Sequence, residues 1–226
     1  MAKRPIAGRV KTRLCPPFSF AQAAELATAA IIDTLAAVVA AVPLASRCGF
    51  TLEPVLVLDG RPHGWLPQVL EEVADEPVHL RVLAQRGEGL DCRLAAAFQD
   101  AAQELPAVLI GMDTPQVTAG VLVDAAATLT APECDAVLGH ADDGGWWLLG
   151  LRQADPTLLQ GVPMSTPSTG MAQQARLRAA GLRVGLLGQL RDVDTVEDAE
   201  HVAAQAPASR FARRFEALRP AALTVR

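Results

Sequence analysis

Residues 107–115 read AVLIGMDTP, and this stretch decides the class of fold. Its first four residues form an unbroken apolar run, which is typical of a strand that is covered on both faces. Asp113 follows the run within a turn marked by Gly111 and Pro115. Ligands of open α/β sheets bind beyond the carboxyl ends of the strands. The stretch therefore predicts a central strand with Asp113 at the edge of the sheet where a ligand would lie.

Helix-like and strand-like patterns alternate on both sides of this stretch. Helices are predicted over 21–45, 65–73, 90–105, 118–129, 169–180 and 196–206. Further strands are predicted over 55–58, 78–83, 136–138, 146–151 and 184–187. Strands that alternate with helices predict an α/β three-layer sandwich. We assign residues 1–206 to a single domain and 207–226, which contain a basic helix-like segment, to a C-terminal appendage.

Composition limits the classes of function. The 226 residues carry a net charge of -5, so we do not expect a sequence-independent nucleic-acid binder. The apolar stretch over 21–45 is interrupted by Glu25 and Asp33, so we expect neither a membrane span nor a signal peptide. The four cysteines are dispersed without a CxxC pair, which favours reduced thiols and a cytoplasmic location over a zinc site.

A basic loop with a central glycine lies near the start of the chain, where residues 3–13 read KRPIAGRVKTR. Lys11 and Arg13 alternate along the loop, so both could face one phosphate group. The loop lacks the spacing of a Walker motif after Gly8. The alternative interpretation is a solvated tail without a binding function.

A second glycine turn follows the strand predicted over 78–83. Gln85, Gly87 and Gly89 lead into a predicted helix, and backbone N–H groups at a helix start can bind an anion or the edge of a base. Asp59 follows another predicted strand. We therefore expect Asp59 and this turn at the same edge of the sheet as Asp113.

Carboxylates form the third kind of candidate site. Asp113 is placed to coordinate Mg²⁺ or Mn²⁺, although Asp also caps turns before Pro. Asp192 and Asp194 lie on the same side of an extended segment and could hold a cation together. The alternative is that Asp194 or Thr195 only caps the helix that follows.

The segment DDGGWW at 142–147 is open to two interpretations. Its two glycines permit the close approach of a ligand, but a hairpin turn requires them as well. Trp146 and Trp147 can pack in the core or form the wall of a sugar or base pocket.

Six motifs occur in one order across nearly the whole chain: AKRPIAGRVKTRL, QRGEGLDCRLAAAF, LIGMDTPQVT, DAVLGHADDGGWWLLGL, GVPMSTPSTG and LRDVDTVEDA. In combination they resemble a GT-A-like family of glycosyltransferases and nucleotidyltransferases that is related to 2-phospholactate guanylyltransferase and molybdenum-cofactor guanylyltransferase. The resemblance implies a nucleotide-diphospho-sugar transferase-like fold with a mixed, mostly parallel sheet. Members carry an apolar first strand before the basic loop. Because this chain begins at Met1, directly before the loop, we expect that strand to be missing, through a start placed too late or a truncation.

The resemblance also implies a role for each motif. Donor phosphates would bind at Gly8, Lys11 and Arg13. The nucleobase would lie near Gln85, Gly87 and Gly89. The metal ligands would be Asp113, Asp192 and Asp194. The acceptor side would be lined by Asp143, Gly144, Gly145, Ser165 and Thr166.

The sequence therefore predicts a transferase that depends on Mg²⁺ or Mn²⁺, uses a nucleotide sugar or a nucleoside triphosphate as donor, and modifies a small-molecule acceptor. Lys11, Arg13 and Asp113 would provide the catalytic electrostatics. Whether a glycosyl or a nucleotidyl group is transferred stays open. One alternative is a non-catalytic nucleotide-binding protein. Another is a haloacid-dehalogenase-type phosphatase, although DVDT at 192–195 departs from the DxDxT motif by one residue.

Overall fold

The computed structural model describes residues 1–74 and 79–219. Those residues form seven strands: β1 (Ala2–Lys3), β2 (Val55–Asp59), β3 (Arg81–Ala84), β4 (Ala107–Ile110), β5 (Ala136–Ala141), β6 (Trp146–Leu151) and β7 (Val184–Leu190). The strand predicted over 78–83 and the appendage predicted over 207–226 lie partly outside the described residues.

The same residues form the α-helices α1 (Phe20–Arg47), α2 (Leu66–Val73), α3 (Leu90–Ala102), α4 (Ala119–Thr130), α5 (Thr169–Ala179), α6 (Val196–Gln205) and α7 (Arg210–Leu218). Side-chain caps explain where some of them begin. Ser19 and Gln22 form a capping box at the start of α1, and Thr118 accepts the N–H of Val121 at the start of α4. These bonds satisfy backbone N–H groups that have no partner within the helix.

The strands form a mixed set of parallel and antiparallel pairs. In one sheet β2 lies between β1 and β3, and both pairs are parallel. In the other sheet the order is β4–β6–β5–β7. There β6 is antiparallel to both of its neighbours, whereas β7 is parallel to β5. The predicted α/β class is confirmed.

Helices cover both faces of the second sheet. Val137 of β5 and Leu148 of β6 pack with residues of α1 and α4. The next residues along the same strands, Leu138 and Leu149, pack with residues of α3 and α5. Successive side chains of a strand point to opposite faces, so this alternation gives the predicted three-layer sandwich.

β1 has only two residues, but it lies between the two sheets. It pairs in parallel with the end of β2, and the Met1 ammonium group donates to the Ile110 carbonyl oxygen of β4 at 2.8 Å. Arg4 N then donates to the Asp59 carbonyl oxygen at 2.8 Å. A short first strand is thus present where the sequence predicted none, and it holds the start of the basic loop against the sheet.

α1 is a core helix that also holds the last described helix. By length and composition it is the one helix of the described ranges that could cross a membrane, but 61% of its most apolar window is buried inside the protein. On α7, Phe211 and Phe215 are each 1% exposed. Asp33 of α1 accepts the N–H groups of Arg210 and Phe211. The domain division at residue 206 stays a prediction, and Phe211, Ala212 and Phe215 of α7 belong to one core cluster with residues of α1.

Candidate functional site

A cavity of about 370 Å³ opens at the carboxyl ends of β1, β2 and β4. Its wall includes Lys3, Asp59 and Asp113 from these strand ends, and Asp192, which follows β7. A second hollow of about 580 Å³ adjoins it and is lined by the basic loop over 9–13. The residues that line both hollows are Lys3, Met112, Asp113, Asp143, Ser165 and Thr166.

Asp113 lies directly after β4, as predicted, and two hydrogen bonds tie the segment after β7 to the same place. Val193 N donates to the Asp113 carbonyl oxygen at 2.9 Å, and the Gln116 side chain donates to the Arg191 carbonyl oxygen at 2.7 Å. Asp192 therefore lines the same cavity as Asp113. Thr118 is the N-cap of α4, so Asp113 does not have that role.

Lys11 is buried between two of the carboxylates that were predicted as metal ligands. Its Nζ atom lies 2.8 Å from Asp113 Oδ1 and 3.1 Å from Asp194 Oδ1. Burial alone would lower the pKa of Lys11, but the charges of Asp113 and Asp194 outweigh it and raise that pKa. Arg13 Nη1 lies 3.2 Å from Asp194 Oδ2. Lys11 and Arg13 thus both contact Asp194, and their role as phosphate ligands stays a prediction.

Asp192 is a strongly perturbed carboxyl group in the cavity. Burial, followed by the charges of Asp113 and Asp143, raises the pKa of Asp192 to about 7. Its Oδ1 atom is buried and has no hydrogen-bond partner among the described residues. Like charges that share a site disfavour ionisation, so this part of the cavity has an excess of negative charge that a cation would relieve.

The oxygen donors suit a hard cation such as Mg²⁺ or Mn²⁺. Within residues 1–74 and 79–219, however, no three Asp, Glu, His or Cys side chains form a ready-made metal cluster. Asp113 and Asp192 line the main cavity, whereas Asp194 lines only the second hollow and contacts Lys11 and Arg13. Mg²⁺ commonly binds through one or two carboxylates plus substrate phosphates, so Asp113 and Asp192 fit such an ion.

The second glycine turn reaches the cavity through Gln85, whose side-chain N–H donates to the Ala2 carbonyl oxygen at 2.8 Å. Gly87 and Gly89 have φ values of 108° and 85°, which favour glycine. Neither of them is among the described residues that line the cavity. The turn is therefore built as predicted, but only Gln85 faces the main cavity.

A side chain of α3, the helix that follows this turn, already accepts a backbone N–H group at the start of the helix. The Asp91 carboxylate accepts the N–H groups of Gly161 and Cys92, and these bonds hold the pKa of Asp91 below its usual value. The N-terminus of α3 is thus less open to an anion than the sequence suggested.

The predicted acceptor-side residues lie near one close backbone contact, between Gly144 and Pro167. The members that line the cavity are Asp143, Gly145, Ser165 and Thr166. Gly144 has a φ of 88°, and a Cβ atom there would overlap the Pro167 carbonyl oxygen. Only glycine allows the β5–β6 hairpin to approach the turn at 165–167 so closely.

Two alternatives from the sequence are resolved here. Thr195 is the N-cap of α6 and forms a capping box with Asp198, so capping does not occupy the Asp194 side chain. Trp146 and Trp147 both line the cavity. Trp147 is also 2% exposed, and its indole N–H donates to the Gly188 carbonyl oxygen at 3.0 Å. Both tryptophans therefore reach the cavity wall, and Trp147 is part of the core as well.

Sequence reasoning missed Arg93, Thr114 and Met164, which also line the cavity. Arg93 Nη1 lies 3.7 Å from Asp59 Oδ2. Its place one helical turn after Gly89 could have identified it, and Thr114 directly follows Asp113. Met164 carried no comparable signal.

The fold agrees with that of a known class of protein. A solved structure from Desulfovibrio desulfuricans, assigned to the nucleotide-diphospho-sugar transferases, superposes with a TM-score of 0.78. The superposition covers 96% of this chain and 93% of that chain at 24% sequence identity. The chain therefore has a nucleotide-diphospho-sugar transferase-like fold.

Two other solved structures superpose less well. The CTP complex of CMP:2-keto-3-deoxy-manno-octonic acid synthetase is 12% identical, with a TM-score of 0.48 over 76% of this chain and 88% of that chain. A manganese complex from Mycobacterium tuberculosis is 19% identical, with a TM-score of 0.40 over 73% of this chain and 85% of that chain.

The sequence match identifies the family. Residues 32–166 match DUF2064, described as an uncharacterized protein conserved in bacteria, and the chain belongs to this family. The matched range contains β4 and Asp113 but neither the basic loop nor Asp192. A comparison with curated proteins gives no significant match.

Proposed function

We propose that the protein is a cytoplasmic transferase that depends on a divalent cation and passes a glycosyl or nucleotidyl group from a nucleotide-activated donor to a small-molecule acceptor. The observation that carries this proposal is the contact of Lys11 in the basic loop with Asp113, which lines the cavity beyond the strand ends together with Asp192. Carboxylates for a cation and basic groups for phosphates are the two parts that a nucleotide-diphosphate site needs. The shared fold supports the same class.

In this proposal Asp113 and Asp192 hold Mg²⁺ or Mn²⁺. The bound ion would neutralise charge on the donor phosphates. Asp194 keeps Lys11 and Arg13 in place, because it contacts both. The three carboxylates predicted as metal ligands thus divide into two that face the main cavity and one that orients the basic loop.

The basic loop binds the donor phosphates through Gly8, Lys11 and Arg13. Arg13 has a side chain that is 75% exposed, so its remaining N–H groups can reach a ligand in the second hollow. Lys11 is buried and charged beside Asp113, so its charge lies next to the phosphates that the cation would also contact. Fixed positive charge of this kind stabilises the charge that develops during group transfer.

The two ends of the cavity define the rest of the assignment. Gln85, with Gly87 and Gly89 behind it, lies on the nucleobase side. Asp143, Gly144, Gly145, Ser165 and Thr166 lie on the acceptor side. The two kinds of transfer differ in the bond that breaks, which is either at the α-phosphorus of a nucleoside triphosphate or at the anomeric carbon of a nucleotide sugar.

A thermal-shift panel tests the proposal. Nucleoside triphosphates and nucleotide sugars are added singly, with and without MnCl₂, to the wild type and to Asp113→Asn. Asp124→Asn is the matched control, because Asp124 is exposed on α4 and does not line either hollow. We expect one nucleotide class to raise the melting temperature only with Mn²⁺, and Asp113→Asn alone to lose this effect.

The pattern of outcomes separates the remaining classes. Release of pyrophosphate from a stabilising triphosphate, with an acceptor present, would identify nucleotidyl transfer, and release of a nucleoside diphosphate from a sugar donor would identify glycosyl transfer. Binding without turnover over a broad acceptor set would favour a non-catalytic nucleotide-binding protein. If a folded sample responds to no nucleotide, the proposal is wrong.

A further inference from the structure

Thr114 is an unusual threonine in this structure. Its side chain lines the main cavity and is 2% exposed, and Oγ1 has no hydrogen-bond partner in the described part of the chain. Thr34 shows the common arrangement: it is 6% exposed, and its hydroxyl donates to the Ala30 carbonyl oxygen at 2.8 Å. A buried hydroxyl without a partner is costly, so the Thr114 hydroxyl requires an explanation.

A carboxylate oxygen without a described partner belongs to another residue that lines this cavity. Asp192 Oδ1 is also buried without a hydrogen-bond partner among the residues described, and it lines the same cavity. The bond from Val193 N to the Asp113 carbonyl oxygen holds the two segments together. The bond from Val117 N to the Thr114 carbonyl oxygen, at 3.1 Å, fixes the turn on which Thr114 lies.

The chemistry of these atoms points to a cation. Both are oxygens with lone pairs, and the adjacent Asp113 adds a third oxygen donor, whose Oδ1 contacts Lys11 at 2.8 Å. A hard divalent cation prefers oxygen ligands, and a Ser or Thr hydroxyl together with a carboxylate is an established pair for Mg²⁺ in nucleotide sites. The described residues contain no cluster of three acidic, His or Cys ligands, so a third protein ligand beside Asp113 and Asp192 would have to be a neutral oxygen.

We propose that the Thr114 hydroxyl is the third protein ligand of the divalent cation, beside Asp113 and Asp192. This inference rests on the proposed function, because the cation is the one assigned there. It adds a residue that motif reasoning did not select, and it explains why the cavity wall contains a buried hydroxyl without a partner.

Two substitutions at one position test the proposal. Thr114→Val removes the hydroxyl and keeps the β-branched shape, whereas Thr114→Ser keeps the hydroxyl. Mn²⁺ binding is measured with MnCl₂ alone, by electron paramagnetic resonance of the free ion, and the melting temperature is measured without metal. Thr34→Val is the matched control, because its hydroxyl already has a protein partner.

We expect opposite effects on folding and on metal binding. Without metal, Thr114→Val should melt at or above the temperature of the wild type, because a buried unpaired hydroxyl is removed, whereas Thr34→Val should melt lower. Thr114→Val should raise the Kd for Mn²⁺ roughly tenfold or more. Loss of a residue that only hydrogen-bonds to a metal ligand already lowers metal affinity about 10–100-fold, so loss of a ligand should have at least a comparable effect. Thr114→Ser should stay close to the wild type.

The failures are distinguishable. If the wild type binds Mn²⁺ and Thr114→Val binds it equally well, the hydroxyl is not a ligand and the proposed function stands. If Thr114→Val is clearly destabilised without metal, the hydroxyl has a structural partner and the inference is overturned. If the wild type itself does not bind Mn²⁺, both the inference and the cation dependence of the proposed function fail.

Discussion

Lys11 Nζ lies 2.8 Å from Asp113 Oδ1, so the loop that precedes α1 is joined to the turn that follows β4. The Lys11 side chain is 9% exposed and that of Asp113 is 36% exposed. A buried ammonium group between two carboxylates compensates charges that would otherwise repel each other. The contact therefore stabilises the folded protein in the absence of a ligand.

Replacing Lys11 by Met should destabilise the metal-free protein. Breaking a buried ion pair costs about 3–5 kcal/mol, but the Asp partners are partly exposed, so we expect about 1–2 kcal/mol. Urea unfolding at pH 8 in EDTA measures the loss. Mn²⁺ should recover part of it, because the proposed ion would supply positive charge to Asp113, one of the two carboxylates that lose Lys11. Arg13→Gln is the control, and a loss as large as that of Lys11→Met would contradict the special role of the buried ammonium group.

The difference in the free energy of unfolding between the wild type and Asp33→Asn should fall as pH rises. Burial raises the pKa of this carboxyl group, although the N–H groups of Phe211 and Arg210 oppose the shift. The folded state then holds the proton more tightly than the unfolded chain does. The resulting stability is fully present below the unfolded pKa, about 4, and is lost as pH rises through the folded pKa. The advantage of the wild type over Asp33→Asn in urea unfolding should therefore be larger at pH 4 than at pH 8.

Asp135 provides a control in which the stability difference between the wild type and the Asn variant should change with pH in the opposite direction. Hydrogen bonds from Arg183 hold the pKa of Asp135 well below its usual range. Its stabilising effect is therefore present above the unfolded pKa, about 4, and is lost as pH falls through the folded pKa. The advantage of the wild type over Asp135→Asn should grow from pH 3 to pH 7. Parallel pH profiles for the two aspartates would contradict both assignments.

Gly144→Ala should separate the two turns that meet at the cavity. A Cβ atom at this residue would overlap the Pro167 carbonyl oxygen, and its φ of 88° disfavours any side chain. We expect a loss of about 2–3 kcal/mol in the free energy of unfolding. Gly188→Ala is the matched control, because a Cβ atom there would meet no other part of the described chain within 4 Å and the φ of Gly188 is not positive. Equal melting temperatures for the two variants would show that the hairpin does not depend on this approach.

Phe215→Ala tests the place of α7 in the fold. Phe215 is 1% exposed, and its ring centroid lies 5.7 Å from that of Phe18 and 6.3 Å from that of Phe211. Removing a buried aromatic ring costs about 3–5 kcal/mol, so we expect a loss of that size in urea unfolding. A loss below about 1 kcal/mol would agree with a peripheral appendage beginning at residue 207.

Patterns that are local in the sequence predicted the fold well. The apolar run at 107–110 became β4 with Asp113 directly after it, and the helix predicted over 21–45 became α1. Burial on both faces and helical periodicity leave signals within a few residues, so a single sequence is sufficient for them. The two-residue strand β1 leaves no such signal, because it is recognisable only by its pairing with β2.

The candidate site was harder to predict because its electrostatics depend on residues far apart in the chain. The motifs selected Lys11 and Asp113 separately, as a phosphate ligand and a metal ligand. Their direct contact follows only from the folded sheet. Thr114 was missed for a related reason, since a threonine beside an aspartate is informative only when its hydroxyl is known to lack a partner.

The shared wall of the two hollows has a consequence for how ligands bind. Asp113, Asp143 and Thr166 each line both hollows. A ligand that contacts these side chains in one hollow therefore also changes the surface of the other hollow. Two ligands that bind through common groups have coupled affinities, and thermodynamic linkage makes the coupling reciprocal. Donor and acceptor should therefore each change the dissociation constant of the other by the same factor, and titrations of one at several fixed concentrations of the other would measure it.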